Sequence, residues 1–289
     1  MMRALAALPL LALAACASSP AATPPGEALA KRIAAIETRS GGRLGVAVTD
    51  TTGRMLFGHR ADERFAMCST FKLLLAGHVL RGAANGGKSL RTPLPFTRDD
   101  LLPHSPFTES QLATGDVRLG FAAEHIVKVS DNAAANLILK ATGGPATFTQ
   151  RMREMGDTVT RLDRLETELN ENAPGDPRDT TSPAAMAKSG ARLAYGDYLD
   201  PDHRKALREW IVESKTGLAR IRAGLPPIWL SGDKTGTCGT AYNDVAFVEA
   251  PDGGKYMIAV YLDRPAVKDD AANAAIADVA RAIVENLPD

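Results

Sequence analysis

The chain has 289 residues, 45% of them hydrophobic, which is enough to bury a sizeable core and excludes an intrinsically disordered protein. Lysine plus arginine equals aspartate plus glutamate, 34 of each, so no net field recruits nucleic acid or an anionic membrane surface. The expected partner is a small molecule.

Met1-Met2-Arg3 followed by the Ala- and Leu-rich residues 4–15 has the charged start and short apolar core of a secretory signal, too short to span a bilayer. It ends in Leu13-Ala14-Ala15-Cys16, which resembles the lipobox of bacterial lipoproteins. That resemblance implies cleavage before Cys16 and lipidation of its thiol; cleavage by the ordinary signal peptidase after Ala15 or Ala17 is the alternative. Residues 16–25, rich in Ala, Ser and Pro, then form a tether. The expectation is a protein exported to the periplasm, as an anchored lipoprotein or in soluble form.

Residues 26–38 carry Leu29, Ile33 and Ile36 at helical spacing, stopped by Gly41-Gly42. Alternation over 43–50 and a second apolar stretch over 54–59, joined by a Thr-Thr-Gly turn, predict a β-hairpin. Residues 61–212 change character to helices separated by Gly, Pro and Ser/Thr breaks, with helices expected over 117–129, 132–141, 184–195 and 203–212. Residues 161–179 stand apart: charged, rich in Asn and Pro and without periodicity, they read as a long functional loop. Strands return over 229–237, 244–249 and 256–263, and a last helix carries Ile276, Val279, Ile283 and Leu287 on one stripe. The expected architecture is therefore α+β. One antiparallel five-stranded sheet from residues 26–60 and 213–289 is covered by the terminal helices, and residues 61–212 are inserted as a helical domain with a cleft between the two.

The chemistry is carried by four short stretches. Ser69-Thr70-Phe71-Lys72 opens an apolar helix, placing Ser69 and Lys72 on one face, so that the amine can take the proton of the hydroxyl if its surroundings lower its pKa. Ser130-Asp131-Asn132 follows, then Glu166-Thr167-Glu168-Leu169-Asn170 inside the irregular loop, then Lys234-Thr235-Gly236-Thr237. Singly each is weak: a helix start, a capping turn between helices, a solvated loop, a strand end. In this order they resemble the signature of the class A serine β-lactamases over nearly all of the chain that follows the signal.

The resemblance implies that Ser69 attacks the lactam carbonyl, with the backbone N–H groups of Ser69 and Thr237 as oxyanion hole. It implies that Ser130 protonates the departing nitrogen beside Lys72 and Lys234, and that Asn132 binds the acylamino side chain. Glu166 and Asn170 hold the water that releases the acyl-enzyme. Whether Lys72 or Glu166 is the base for acylation stays open. Lys234, Thr235 and Thr237 would bind the substrate carboxylate, Gly236 permitting close substrate approach. Arg220 matches an arginine that some members place there, although Arg222 is near enough to leave the choice open. Arg164 and Asp179 resemble the ion pair that pins the loop; Glu168 and Glu171 read as solvated charges, and Thr167 stands where the family often has proline. His104 stands where the family has an aromatic gate that stacks on bound drug.

If Cys16 carries lipid, Cys68 and Cys238 are an even pair in an oxidising compartment; a disulfide or two buried thiols both fit, and spacing alone does not decide. The resemblance makes them neighbours and likens the pair to the disulfide of class A carbapenemases, as do His104, Arg220 and Thr237. No cofactor or metal is implied, because the five histidines show no ligand spacing. The expected partners are β-lactam substrates and inhibitors, with a monomer as default. The rival readings are a D,D-peptidase or penicillin-binding protein, which Glu166 with Asn170 argues against, and a non-catalytic, lipid-anchored β-lactam sensor.

Overall fold

The structure is a computed structural model that describes residues 25–286. The signal (1–15), Cys16, most of the tether and Leu287 lie outside the described residues.

The elements in chain order are helix α1 (Pro25–Ser40), strands β1 (Arg43–Thr49), β2 (Met55–His59) and β3 (Phe65–Ala66), helix α2 (Phe71–Ala84) and strand β4 (Pro93–Pro95). Next come α3 (Pro106–Ser110), β5 (Asp116–Arg118), α4 (Leu119–Lys128), α5 (Asn132–Thr142), α6 (Gly144–Glu154), β6 (Thr180–Thr181), α7 (Pro183–Ala194) and α8 (Pro201–Val212). The chain closes with α9 (Ile221–Gly224), β7 (Leu230–Cys238), β8 (Ala241–Glu249), β9 (Lys255–Asp263) and α10 (Asp269–Val284).

Helix α1 starts one residue earlier than the sequence pattern suggests, at Pro25, whose missing N–H costs nothing in a first turn; the tether is shortened accordingly. Glu27 in its first turn and Arg39 in its last suit the helix dipole. The turn into β1 requires glycine: Gly42 has φ +78°, and a Cβ there would lie 2.4 Å from the carbonyl oxygens of Asp263 and Arg264.

The five long strands form one antiparallel sheet in the order β2-β1-β9-β8-β7. Its period-2 alternation feeds two cores. Leu44, Val46, Val48, Ile258, Val260 and Leu262 face Leu29, Ile33 and Ile36 of α1 and Ile276, Val279 and Ile283 of α10. Ala47, Val245, Phe247, Ala259 and Tyr261 face the helical part of the chain instead. Burying each Val, Leu or Ile contributes about 1.5–3 kcal/mol, so a strand apolar on both faces is pinned in register. Helix α2 is the axis of the helical part, with every residue from Phe71 to Leu80 buried, as its apolar character all round requires.

The expected helix over 117–129 is shorter than its apolar pattern. Residues Asp116–Arg118 pair with Pro93–Pro95 as a small ladder, and the helix begins at Leu119. Val117 is buried in the strand, a place apolarity alone could not distinguish from a buried helix position.

Candidate active site

Ser69 sits in a single 3-10 turn, Cys68–Thr70, that runs straight into α2. Lys72, one turn on, is fully buried, and its Nζ lies 3.1 Å from Ser69 Oγ, 2.9 Å from Ser130 O, 2.5 Å from Asn132 Oδ1 and 2.9 Å from Glu166 Oε1. Burial pushes its amine below the ordinary lysine range, against the opposing pull of Glu166. A lysine so placed can both accept the serine proton and return one.

Ser130 stands between α4 and α5 at φ +60°, a left-handed conformation that costs a serine roughly 1 kcal/mol. Asp131 holds it there. Its Oδ1 accepts from Ala134 N and Thr108 Oγ1, each at 2.8 Å, and its Oδ2 accepts from the backbone N–H groups of Phe107 and Thr108, each at 2.9 Å. This is the capping role expected from sequence, extended to anchor α3. Asn132 Nδ2 donates to Pro103 O at 2.8 Å.

From the sheet side, Lys234 Nζ donates to Ser130 Oγ at 3.1 Å and to Thr235 O at 2.8 Å. Burial first, then the nearby charges of Lys72 and Arg220, lower its amine to about 7, with Asp233 and Asp244 opposing. Thr235 Oγ1 donates to Thr216 Oγ1 at 2.7 Å. Gly236 proves necessary for a reason other than substrate approach: a Cβ there would lie 2.6 Å from Met67 O and 3.1 Å from Thr70 N. Its hydrogen lets β7 press against the Ser69 turn. The disulfide Cys68–Cys238, with Cα atoms 5.7 Å apart, closes the same junction, so the neighbours of Ser69 and Thr237 are covalently joined.

Arg220 and Arg222 separate cleanly. Arg220 Nη2 donates to Thr237 Oγ1 at 2.6 Å, and Nη1 to the carbonyls of Asn243 and Gly236, at 2.6 and 3.2 Å, beside the lysine. Arg222 turns away, to Asp233 and to the carbonyls of Ile211 and Val212 at the end of α8. His104 lies at the exposed rim at φ +61°, its Nε2 2.8 Å from Val129 O.

The loop 161–179 brings Glu166 inward. Its backbone is clamped by Asn136 of α5, which accepts from Glu166 N at 2.8 Å and donates to Glu166 O at 2.7 Å, and the Glu166–Thr167 peptide is cis. Asn170 Nδ2 donates to Glu166 Oε2 at 2.6 Å. Leu169 is buried beneath them. At the loop's neck Arg164 Nε meets Asp179 Oδ2 at 2.6 Å, while Asp179 Oδ1 accepts the backbone N–H groups of Asp163 and Arg164. Glu171, expected as a solvated charge, is exposed but also paired with Arg164 at 2.7 Å. Further along, Asn172 Nδ2 donates to Asp263 Oδ1 at 2.9 Å and Arg264 donates to Asn172 O, tying the loop to the end of β9.

Asn136 was not legible from motifs, yet it leaves a trace: a lone amide within the apolar run 133–139 must find partners once buried. A concavity of about 460 Å³ between α8 and β7 is lined by residues including Pro201, Arg208, Val212, Leu230 and Phe247 and holds no nucleophile and base together. Chemistry, not volume, designates the site. Among the described residues no group of three or more His, Cys, Asp or Glu side chains is placed to hold a metal ion.

A profile of the Beta-lactamase enzyme family matches residues 28–287. The chain is 45% identical over 259 residues to Beta-lactamase FAR-1 of Nocardia farcinica (strain IFM 10152), covering 88% of this chain and 81% of the relative. It is 41% identical over 283 residues, 96% of each chain, to the Carbapenem-hydrolyzing beta-lactamase KPC of Klebsiella oxytoca. Its fold is similar to the solved ancestral (GNCA) class A β-lactamase, with a TM-score of 0.87 at 49% identity over 90% of this chain and all of that one. The chain belongs to the class A β-lactamases. As a member it is a serine β-lactamase, a hydrolase of β-lactams and hence an agent of resistance to them. The α+β fold with its antiparallel five-stranded sheet is that of the class.

Proposed function

We propose that this β-lactamase opens penicillins, cephalosporins and carbapenems through an acyl-enzyme on Ser69. The observation that carries the reading is Lys72 Nζ within 3.1 Å of both Ser69 Oγ and the carboxylate of Glu166, which joins an attack group to a deacylation group through one buried amine.

Ser69 Oγ attacks the lactam carbonyl carbon while its proton passes to Lys72, or through water to Glu166, and the backbone N–H groups of Ser69 and Thr237 receive the oxyanion. The C–N bond then breaks. Ser130 gives its proton to the nitrogen and is reprotonated through Lys72 and Lys234, both within 3.5 Å of its Oγ. Lys234, Thr235, Thr237 and Arg220 hold the substrate carboxylate, Asn132 the acylamino group, and His104 packs at the rim. Glu166, with Asn170, takes a proton from water as that water attacks the ester carbonyl, and Ser69 leaves with its hydroxyl restored.

Turnover of carbapenems is supported by the likeness to the Klebsiella oxytoca enzyme, whose name states that activity, together with the Cys68–Cys238 bond. The test follows carbapenem absorbance over many enzyme equivalents with intact-protein mass recorded in the same run. Continuous loss is expected; loss that stops near one equivalent with a lasting adduct would leave a hydrolase of penicillins and cephalosporins alone. We further propose export to the periplasm with lipid on Cys16, for which labelling by a radioactive fatty acid, abolished in Cys16→Ser, is the check.

A further inference from the structure

The guanidinium of Arg220 carries five N–H groups, and four of them are spent inside the protein. Nε donates to Asn273 Oδ1 of α10 at 2.8 Å, Nη1 to the carbonyls of Asn243 and Gly236, at 2.6 and 3.2 Å, and Nη2 to Thr237 Oγ1 at 2.6 Å. One N–H of Nη2 is left over, on the atom that already touches Thr237. All of these acceptors are neutral, and among the described residues no carboxylate lies within ion-pair distance of the guanidinium. A buried cation without a counter-ion is costly, so another group must steady it.

Tyr242 supplies that group. The centroid of its ring lies 5.6 Å from Arg220 Cζ, within reach of a cation–π contact, in which the negative face of the ring attracts the cation. Tyr242 of β8 pairs directly with Thr237 of β7, so their side chains share one face of the sheet, and Arg220 lies against both. The ring is fixed in turn. Its hydroxyl accepts from Asp269 N at 3.0 Å and donates to Asp269 Oδ1 at 3.2 Å, at the start of α10. Asp269 and Asn273 are four residues apart on that helix, so one face of α10 holds the ring by the first and the guanidinium by the second. Among the described residues buried in the outer core, Tyr242 is the one aromatic side chain, and the others are aliphatic. Filling space there does not require a ring.

We propose that Tyr242 is a positioning residue for substrate binding: its ring holds the Arg220 guanidinium against Thr237, so that the unspent N–H of Nη2 stays beside Thr237 for the substrate carboxylate. A carboxylate in the place of the ring would hold Arg220 more tightly, but it would compete with substrate for that N–H. The ring attracts the cation without taking a donor. The inference rests on the hydrolase reading, since it takes the substrate carboxylate as the partner of Arg220.

The test compares Tyr242→Phe, Tyr242→Leu and Tyr242→pentafluorophenylalanine in the full chain, using steady-state kinetics on a penicillin and on its methyl ester, with NMR of the Arg220 side chain in the resting enzyme. Phenylalanine keeps the ring and loses only the link to Asp269, so KM for the penicillin is expected within about threefold of wild type. Leucine removes the ring, and fluorination keeps its shape while reversing the charge of its face. Each is expected to raise KM about tenfold with kcat near wild type. The same comparison in an Arg220→Ala background, or on the ester, which has no carboxylate anion, should show no such rise, a pattern that mere loss of packing does not produce. Equal KM for the phenylalanine and fluorinated chains, or a rise that persists in Arg220→Ala, overturns the proposal. Should Tyr242→Leu fail to fold, the fluorinated chain decides. If the wild type turns over no β-lactam, the hydrolase reading falls, while the Arg220 resonances, expected to shift in the fluorinated chain far more than in Tyr242→Phe, still judge the contact.

Discussion

Lys72 and Lys234 converge on the Ser130 hydroxyl from opposite sides of the cleft, one from the helical part and one from the sheet. Two buried ammonium groups so close repel, which is one cause of the lowered value of about 7 for Lys234. In the proposed mechanism the charged form binds the substrate carboxylate, so KM for penicillins should rise as pH climbs past 7 while kcat changes less; a KM flat to pH 9 would show that Lys234 stays charged. The same depression has a stability sign. Between about 7 and the ordinary value of 10.5 the unfolded chain binds a proton that the folded one has released, so this group makes the fold more stable as pH rises through that window. Asn136 makes a second prediction at this scale. It holds Glu166 by both backbone groups, so Asn136→Ala should slow deacylation about a hundredfold, with accumulation of acyl-enzyme by mass spectrometry, and stability lost by about 1–3 kcal/mol from the unpaired peptide groups. Unchanged turnover would remove Asn136 from the machinery.

At the scale of elements, the site is a junction of a turn, a strand and a loop, and each joint has its own fastener. The turn and strand are joined by Cys68–Cys238, which encloses 170 residues of separation. In the chain-entropy model a loop of that length is worth up to about 5 kcal/mol. Cys68→Ser should therefore lower the melting temperature strongly and, by loosening the proposed oxyanion hole, lower kcat and kcat/KM; an unaltered melting temperature would show the bond to be dispensable. The loop is fastened at its neck by Arg164–Asp179 and at its far side by Asn172 to β9. Most elements could be read from the chain because their signals are local: Ser182 and Asp200 mark helix starts, and alternation marks β1. The ladders β3·β6 and β4·β5 were not legible, since two or three residues carry no period, and the second of them took its residues from an expected helix.

Across the whole molecule the sheet separates two main cores, and the outer one meets the candidate site only where Tyr242 packs on Arg220. The core of α1, α10 and the outer sheet face contains none of the catalytic groups. Ile276→Ala in α10 should cost about 2–5 kcal/mol by leaving a cavity, with kcat per folded molecule unchanged; a loss of kcat at full folding would mean that the sheet transmits strain to β7. The strands of both chain ends meet in one sheet, so the helical part is held between β2 and β7 and the cleft lies where they join.

By itself the sequence determined the class of fold and pointed to a candidate catalytic set, because residues three or four apart on one helix, or a short motif with its own turn, need no distant partner to be recognised. Only the tertiary structure decided the rest. It set Arg220 rather than Arg222 beside Thr237, brought Cys68 to Cys238 and put Asn136 under Glu166. Each of those is a contact across tens to hundreds of residues, and for buried polar groups the cost of going unpaired fixes the partner only once packing has removed water from both.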